Sequence, residues 1–142
     1  MEENLSLAFL LGSALRELGK RIRQTFATND VPVTPEQFGI LDMISQKDEF
    51  IQSDLASIMD KDKSAILRHI DILEDNKLII RVNDPADRRK KFLVCTRRGE
   101  DLLVKGKKII NEILEDLTRG VPEAQMNEFK KVLIQMKNNA ES

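Results

Sequence analysis

The sequence is poor in several residue types that mark common protein classes. It has one cysteine, one histidine, no tryptophan and no tyrosine, and aromatic residues make up 4% of its 142 residues. A single cysteine excludes an internal disulfide and a multi-thiolate metal site, so a secreted disulfide scaffold and a zinc finger are both excluded. With 41% hydrophobic and 33% charged residues, the composition indicates one helical domain with a Leu/Ile core and well-solvated faces.

The sequence also lacks long hydrophobic runs and catalytic motifs. The apolar stretch from Leu5 to Leu15 is interrupted by Ser6, Gly12 and Ser13 and follows an acidic start, so we expect neither a signal peptide nor a membrane span, and we expect a cytoplasmic protein. Glycine-rich phosphate loops, G-x-S-x-G and H-E-x-x-H are absent. His69 has no second histidine or thiol to form a metal site or a triad with. We therefore expect no enzyme activity, no cofactor and no metal.

Charge is unevenly distributed along the chain. The net charge is -1, yet residues 81–98 hold seven Lys or Arg against two Asp, which leaves the rest of the chain acidic. A local basic surface is what binding to phosphates requires, because each neutralised phosphate releases condensed counterions. A solvated charged loop is the alternative for such a run taken alone.

Amphipathic helices are predicted at both ends of the chain. Apolar residues recur at helical spacing on one face over residues 5–26, and Thr96 is the expected N-cap of a long helix that ends at Gly120. Apolar residues also repeat as a near-heptad seam after Pro122. The first helix has more apolar surface than its own core needs, which indicates a partner subunit. The stripe of the first helix comprises Leu11, Leu15, Leu18, Ile22 and Phe26.

The middle of the chain has the pattern of a winged helix-turn-helix. Thr34, Pro35 and Gln37 form the expected start of a second helix, with N-cap, first position and capping-box glutamine. A short helix follows Gln52, and a polar turn separates it from a helix over residues 64–76 with inward Ile66, Ile70 and Leu73. Two strand-like runs, 78–82 and 91–95, then predict a β-hairpin with a basic tip.

The helix over residues 64–76 should present a polar face opposite its apolar stripe. At 100° per residue, Lys61, Ser64, Arg68 and Asp71 point away from the core. Arg68 has the fork needed for guanine O6 and N7, while Lys61, Lys63 and Ser64 can hold phosphates. Ala65 and Leu67 flank this face and could touch a thymine methyl group. Asp60, Asp62 and Ser64 imitate the start of a calcium loop, but Ala65 stands where the loop needs glycine, so Asp62 is interpreted as an N-cap.

These features resemble the MarR (multiple antibiotic resistance regulator) family of winged-helix repressors over essentially the whole chain. The residues that carry the resemblance are VTPEQFGILDMI, then SDLASIMDKDKSAILRHIDILEDNKLIIRVNDPADRRKKFLVCTRRGEDLL. The most diagnostic part is Asp-Pro-Ala-Asp-Arg-Arg at residues 84–89, followed by Thr96-x-x-Gly99. One departure is Lys77, where the family has glycine; Asn76 or Lys77 must then be left-handed, which Asn tolerates better.

The resemblance implies a mainly α fold with a small β-hairpin, in which a winged helix-turn-helix is flanked by N- and C-terminal dimerisation helices. It implies that residues 31–99 bind DNA and that residues 1–30 and 100–142 form the dimer. The wing would reach the minor groove, with Arg89 inserted and Asp87 orienting it. The expected wing residues are Asp87, Arg88, Arg89, Lys90 and Lys91. The expected dimerisation residues are Leu7, Leu11, Leu114, Leu117, Met126, Phe129, Leu133 and Met136.

The predicted function is a sequence-specific DNA-binding transcriptional regulator, interpreted as a repressor, that acts as a homodimer on a pseudo-palindromic operator in double-stranded DNA. A small aromatic effector is a further hypothesis, in a crevice lined by Leu15, Leu18, Phe38 and Ile109. The alternative is a winged-helix protein-protein interaction module that binds an acidic partner. Cys95 alternates onto the same face as Leu93, which favours a buried structural thiol over a redox sensor.

Overall fold

The computed structural model describes residues 2–59 and 62–142, and over these ranges the chain forms six helices and three short strands. The helices are α1 (Glu2–Thr28), α2 (Pro35–Ser45), α3 (Gln52–Met59), α4 (Lys63–Asp75), α5 (Arg97–Leu117) and α6 (Glu123–Glu141). The strands are β1 (Phe50–Ile51), β2 (Ile79–Asn83) and β3 (Lys91–Cys95). This confirms the predicted mainly α fold with a β-hairpin.

Local sequence signals fix where several helices begin. The Thr34 hydroxyl accepts from the Gln37 N–H at 3.2 Å, and the Gln37 Oε1 accepts from the Thr34 N–H at 3.0 Å, which confirms the predicted capping box of α2. Thr96 caps α5 by accepting from the Gly99 N–H at 3.0 Å. Its hydroxyl also lies 2.7 Å from the Lys77 carbonyl oxygen, so this cap joins α5 to the end of α4.

The sheet is antiparallel, with β3 between β1 and β2. In the β2–β3 hairpin Arg81 lies opposite Leu93, and on the other edge of β3 Phe50 lies opposite Leu93. The hairpin was predicted, whereas β1 was not. β1 has two residues, too few for an alternating pattern, and it exists only because it pairs with β3 about forty positions later in the chain.

The core of the winged domain lies between α2, α3, α4 and the sheet. Side chains that are essentially inaccessible to solvent come from each of these elements, and burial of each stabilises the fold by about 1.5–3 kcal/mol. They are Ile40, Leu41 and Ile44 of α2, Leu55 of α3, Ile66, Ile70 and Leu73 of α4, and Leu78, Ile79 and Leu93 in and beside the hairpin.

The long helices α1 and α5 pack on this domain through part of their apolar surface. Ile22 and Phe26 of α1 are buried, as predicted, together with Leu103 and Ile113 of α5. Leu15 was predicted to share the inward stripe of α1, but it is 69% exposed. Within the single chain, the stripe is therefore buried in the core only toward the C-terminal end of α1, at Ile22 and Phe26. In α6 none of the described residues is buried.

Candidate nucleic-acid interface

α4 presents the face that the apolar periodicity predicted. Asp62 caps it by accepting from the Ser64 N–H at 3.3 Å, which confirms the predicted N-cap. Ile66, Ile70 and Leu73 are buried beneath the helix. The opposite side is open to solvent. Its exposed residues are Lys63, Ser64, Leu67, Arg68 and Asp71.

Two predicted residues of this face need separate mention. Ala65 is half-buried and faces the depression between α4 and α2, so it is less open than its neighbours Ser64 and Lys63. Lys61 lies outside the described residues.

The tip of the wing is ordered by aspartate turns. The Asp84 Oδ1 accepts from the Ala86 N–H at 2.9 Å, and the Asp87 Oδ1 accepts from the Arg89 N–H at 3.0 Å. Asp87 therefore holds Arg89 through its backbone, where the resemblance had implied only that it orients the residue. All the predicted wing residues, Asp87, Arg88, Arg89, Lys90 and Lys91, are exposed.

The structure brings one side of α4 together with the wing. Lys63 and Leu67 of α4 line a cleft of about 260 Å³ with Arg89, Lys90 and Lys91 of the wing. Its apolar floor includes the buried Ile66 and Ile70, and Gln52 and Ser53 of α3 form its far wall. Four cations therefore surround one opening between the helix and the hairpin.

Arg68 lies apart from this cleft. It borders a second depression, between α4 and α2, with Gln37, His69 and Ile72. Arg68 is exposed on the outer surface of α4, so its guanidinium is available to a partner outside the protein. The cations of the predicted site thus form a strip that runs from the α2 side of α4 to the wing.

His69 connects α4 to α2. The Gln37 Nε2 lies 3.3 Å from the His69 Nδ1, and the His69 Nε2 lies 3.4 Å from the Glu36 Oε2. Gln37 is buried, and its Oε1 already accepts from the N-cap of α2. The ring therefore supplies an acceptor for the remaining polar group of a buried glutamine.

Arg81 is the residue near the site that the sequence reasoning misplaced. It was counted with the basic run of the wing, but its side chain is directed inward and its guanidinium binds Asp71, Glu74 and Gln52. Strand alternation indicates this inward direction, because Arg81 lies opposite the buried Leu93 and directly opposite residues share one face of a sheet.

Cys95 is a partly buried thiol at the end of β3. Burial, with a further contribution from the charge of Glu100, raises the pKa of its thiol to about 11. A raised pKa disfavours the thiolate, which is the reactive form. The environment of Cys95 is therefore the one expected of the structural thiol that the sequence predicted.

The residues proposed for an effector crevice are distributed between core and surface. Phe38 is buried and packs against the Phe26 ring at a centroid distance of 5.2 Å, while Leu18 and Ile109 lie half-buried against the same core. Leu15 points to solvent. In the single chain these side chains therefore do not enclose a common opening.

The residues proposed for dimerisation are apolar and open. Leu7, Leu114, Leu117, Phe129, Leu133 and Met136 are exposed, and Leu11 and Met126 are half-buried. They lie on α1, α5 and α6, at the two ends of the chain. Exposed apolar side chains clustered on long helices are a feature of surfaces that contact a protein partner.

Comparisons with known proteins agree on one family. A model of the MarR family matches residues 33–91. A putative transcriptional regulatory protein for the hcr operon of Thauera aromatica is 32% identical over 133 residues, which is 86% of this chain and 80% of that protein.

Solved structures share the fold over almost the full length. The crystal structure of MarR superposes with a TM-score of 0.85 at 28% identity and covers 94% of this chain and 90% of that one. The Staphylococcus aureus MepR–DNA complex superposes with a TM-score of 0.78 at 25% identity and covers 93% of this chain and 96% of that one.

The fold and the exposed basic strip define a winged helix-turn-helix protein that binds DNA and regulates transcription. The chain belongs to the MarR family. In the described ranges, no helix is both long and apolar enough to cross a membrane.

Proposed function

We propose that this protein is a homodimeric repressor that binds a pseudo-palindromic operator through α4 and the wing. In this proposal α4 enters the major groove, where Arg68 reads base edges and Lys61, Lys63 and Ser64 hold phosphates. Arg89 enters the adjacent minor groove, where a narrow A·T-rich segment attracts an inserted arginine. Residues 31–99 form the DNA-binding part, and residues 1–30 and 100–142 form the dimer.

The observation that carries the proposal is the cleft between α4 and the wing. Lys63, Arg89, Lys90 and Lys91 surround it beside the exposed face of α4, although the whole chain has a net charge of -1. Cations concentrated on one side of an otherwise acidic chain give that side the affinity for phosphates that DNA binding requires. The MepR–DNA complex, which shares the fold, supports duplex DNA as the polymer.

Symmetry extends the argument to two half-sites. Two copies of the chain related by a two-fold axis would place their α4 helices about 34–36 Å apart, one turn of the duplex, and this spacing requires a pseudo-palindromic operator. The exposed apolar faces of α1, α5 and α6 support such a pair. The proposal places the protein in the cytoplasm and gives it no catalytic role.

A small aromatic effector would regulate DNA binding by the dimer. An aromatic molecule near Leu15, Leu18, Phe38 and Ile109 would lie where α1 and α5 meet the winged part of the chain. It would regulate DNA binding only if it bound more tightly to one spacing of the two winged parts than to another.

The proposal is tested by selecting fragments bound by the protein from random-sequence duplex DNA. We expect an enriched sequence with two inverted half-sites one turn apart, and affinity that falls steeply as salt rises. Arg68→Ala should cost about 1–3 kcal/mol and relax specificity at the base it reads. Arg89→Ala should weaken binding and reduce the salt slope, while Arg23→Ala on α1 removes the same charge outside both elements and should do neither.

The rival function predicts a different result. A winged-helix module for an acidic protein partner would bind heparin and any duplex equally well, and the selection would return no common sequence. Such an outcome would overturn the proposal.

A further inference from the structure

Arg81 connects the elements that form the DNA-facing surface. Its side chain is 20% exposed, and each nitrogen of the guanidinium donates to a different side chain. The Nη2 donates to the Asp71 Oδ1 at 2.6 Å, and the Nη1 donates to the Glu74 Oε1 at 3.0 Å, both on α4. The Nε donates to the Oε1 of Gln52, the first residue of α3, at 3.1 Å.

The geometry of these bonds fixes angles as well as distances. A guanidinium is planar and presents its donors in a rigid fork, so partners on two helices cannot shift independently while all these bonds persist. Arg81 belongs to β2, which leads directly into the wing. The network therefore connects the start of the wing to α3 and α4 on the inner side of the sheet.

Arg81 is not available to phosphates in this arrangement. Its donors are engaged by Asp71, Glu74 and Gln52, whereas Arg88 and Arg89 at the tip are exposed. A role in DNA binding must therefore be indirect. Because α4 and the wing would engage the same duplex, an error in the angle between them would cost contacts in both grooves at once.

We infer that Arg81 is a positioning residue, which fixes the wing relative to α4 in the orientation that the operator requires. The inference rests on the proposed function and adds to it a determinant of specificity that touches no DNA. Asp71 acts in the same unit, although it lies on the outer side of α4 and carries the charge that DNA repels.

Asp71 gives the sharpest test, because two explanations predict opposite signs. If only charge matters, Asp71→Ala removes an anion from the DNA-facing side and should tighten binding. If Asp71 holds Arg81, the same change should weaken binding to the operator. Asp75→Ala is the matched control, because it removes an exposed carboxylate from the same helix. Asp75 has no hydrogen-bond or ion-pair partner among the described residues.

The probes are a duplex selected by the wild-type chain from random DNA and an unrelated duplex of equal length. We expect Arg81→Met and Asp71→Ala each to weaken binding to the selected duplex by at least about threefold, and the double variant to lose less than the product of both effects. Binding to the unrelated duplex should change less. Arg81→Met should leave the salt slope unchanged, whereas Arg89→Met should lower it by about one.

Arg81→Lys adds a check on geometry. It keeps the positive charge but cannot form the planar fork, so it should also lose specificity. Circular dichroism and thermal melting of each free variant show whether it is folded. If Arg81→Met does not fold, Asp71→Ala still tests the inference, because the Asp71 side chain is 57% exposed.

The outcomes separate cleanly. If Asp71→Ala binds the selected duplex more tightly than the wild type does, in the same way as the control Asp75→Ala, the positioning role is overturned. A salt slope that falls in Arg81→Met would also overturn it, because such a fall indicates that Arg81 contacts a phosphate. A wild-type chain for which no duplex is enriched would overturn the proposed function itself, and the inference with it.

Discussion

Lys77 occupies a backbone conformation that its side chain disfavours. Its φ angle is +61°, in the left-handed region, and its N–H donates to the Glu74 carbonyl at 2.8 Å as the chain leaves α4. Asn76, the residue that tolerates this region better, remains at φ -80° and bonds its side chain to the Ile72 carbonyl. The position of the turn is set by the following Leu78, whose buried side chain must enter the core.

We therefore predict that Lys77→Gly stabilises the protein. Glycine removes the clash of Cβ with the following carbonyl, and we expect the free energy of unfolding to rise by about 1 kcal/mol. Urea titration of the wild type and the variant measures this. Lys77→Ala keeps the Cβ and should bring no gain, so an equal effect of the two substitutions would contradict the argument.

Cys95 makes stability depend on pH in the alkaline range. Its pKa is raised from 9.0 to about 11, first by burial and then by Glu100. The unfolded chain thus loses this proton before the folded chain does, and the free energy of unfolding must fall as pH rises from 9 toward 11. We expect this fall to be smaller in Cys95→Ala, measured by urea titration across that range.

The same argument predicts the reactivity of the thiol. At pH 8 iodoacetamide should label the folded protein far more slowly than the urea-unfolded protein, because the thiolate is scarcer in the folded state. Equal rates would mean that the thiol is open and unperturbed.

The contact of α5 with α2 depends on the absence of a side chain at Gly106. A Cβ built on Gly106 would lie 2.2 Å from the Cε2 of Phe38, which is far inside van der Waals contact. Phe38 cannot easily move, because it is buried and packs against Phe26. The glycine therefore allows α5 to approach the aromatic ring directly.

Gly106→Ala should consequently destabilise the protein by about 1–3 kcal/mol, even though alanine favours helix. Gly39→Ala is the matched control on α2, where an added Cβ meets nothing within 4 Å. There only helix propensity changes, and stability should rise by up to about 1 kcal/mol. Thermal melting of both variants distinguishes the two signs, and a gain at Gly106 would refute the packing argument.

The elements that were predictable are those specified by neighbouring residues. The capping box of Thr34 and Gln37, the Asp62 cap and the inward stripe of α4 depend on contacts within a few positions, which a sequence displays. Strand β1 depends on its pairing with β3, far along the chain. The partners of Arg81 lie 7, 10 and 29 positions from it, on two different helices. A pattern that assigns charges to a basic run cannot show that one of them turns inward to meet Asp71 and Glu74.

The chain exposes apolar side chains on α1 and α6 that the rest of the described chain does not cover. Leu133 and Met136 of α6 are 40% and 44% exposed, and Phe129 and Leu7 are similarly open. Met126, Phe129, Leu133 and Met136 recur at steps of three and four, so they share one face of α6. A second copy of the chain is the partner that the proposed function supplies for this surface, since an operator with two half-sites needs two winged parts held together.

We therefore predict that the protein is a dimer in solution. Light scattering of the wild type should give about twice 16.3 kDa. Leu133→Asp or Met136→Lys should give the mass of one chain, because burying an unpaired charge costs several kcal/mol. Asn138→Lys, on the opposite side of α6, changes charge as much and should leave the dimer intact.

The monomeric variants should also bind DNA more weakly. In the dimer, binding of one winged part raises the effective concentration of the other at the second half-site, so separation of the chains should lower the affinity for a two-half-site duplex by about 100-fold or more. A monomeric variant that bound that duplex as tightly as the wild type would contradict the symmetric arrangement. If the affinity and the mass fall together in the same variants, DNA recognition depends on the apolar face of α6.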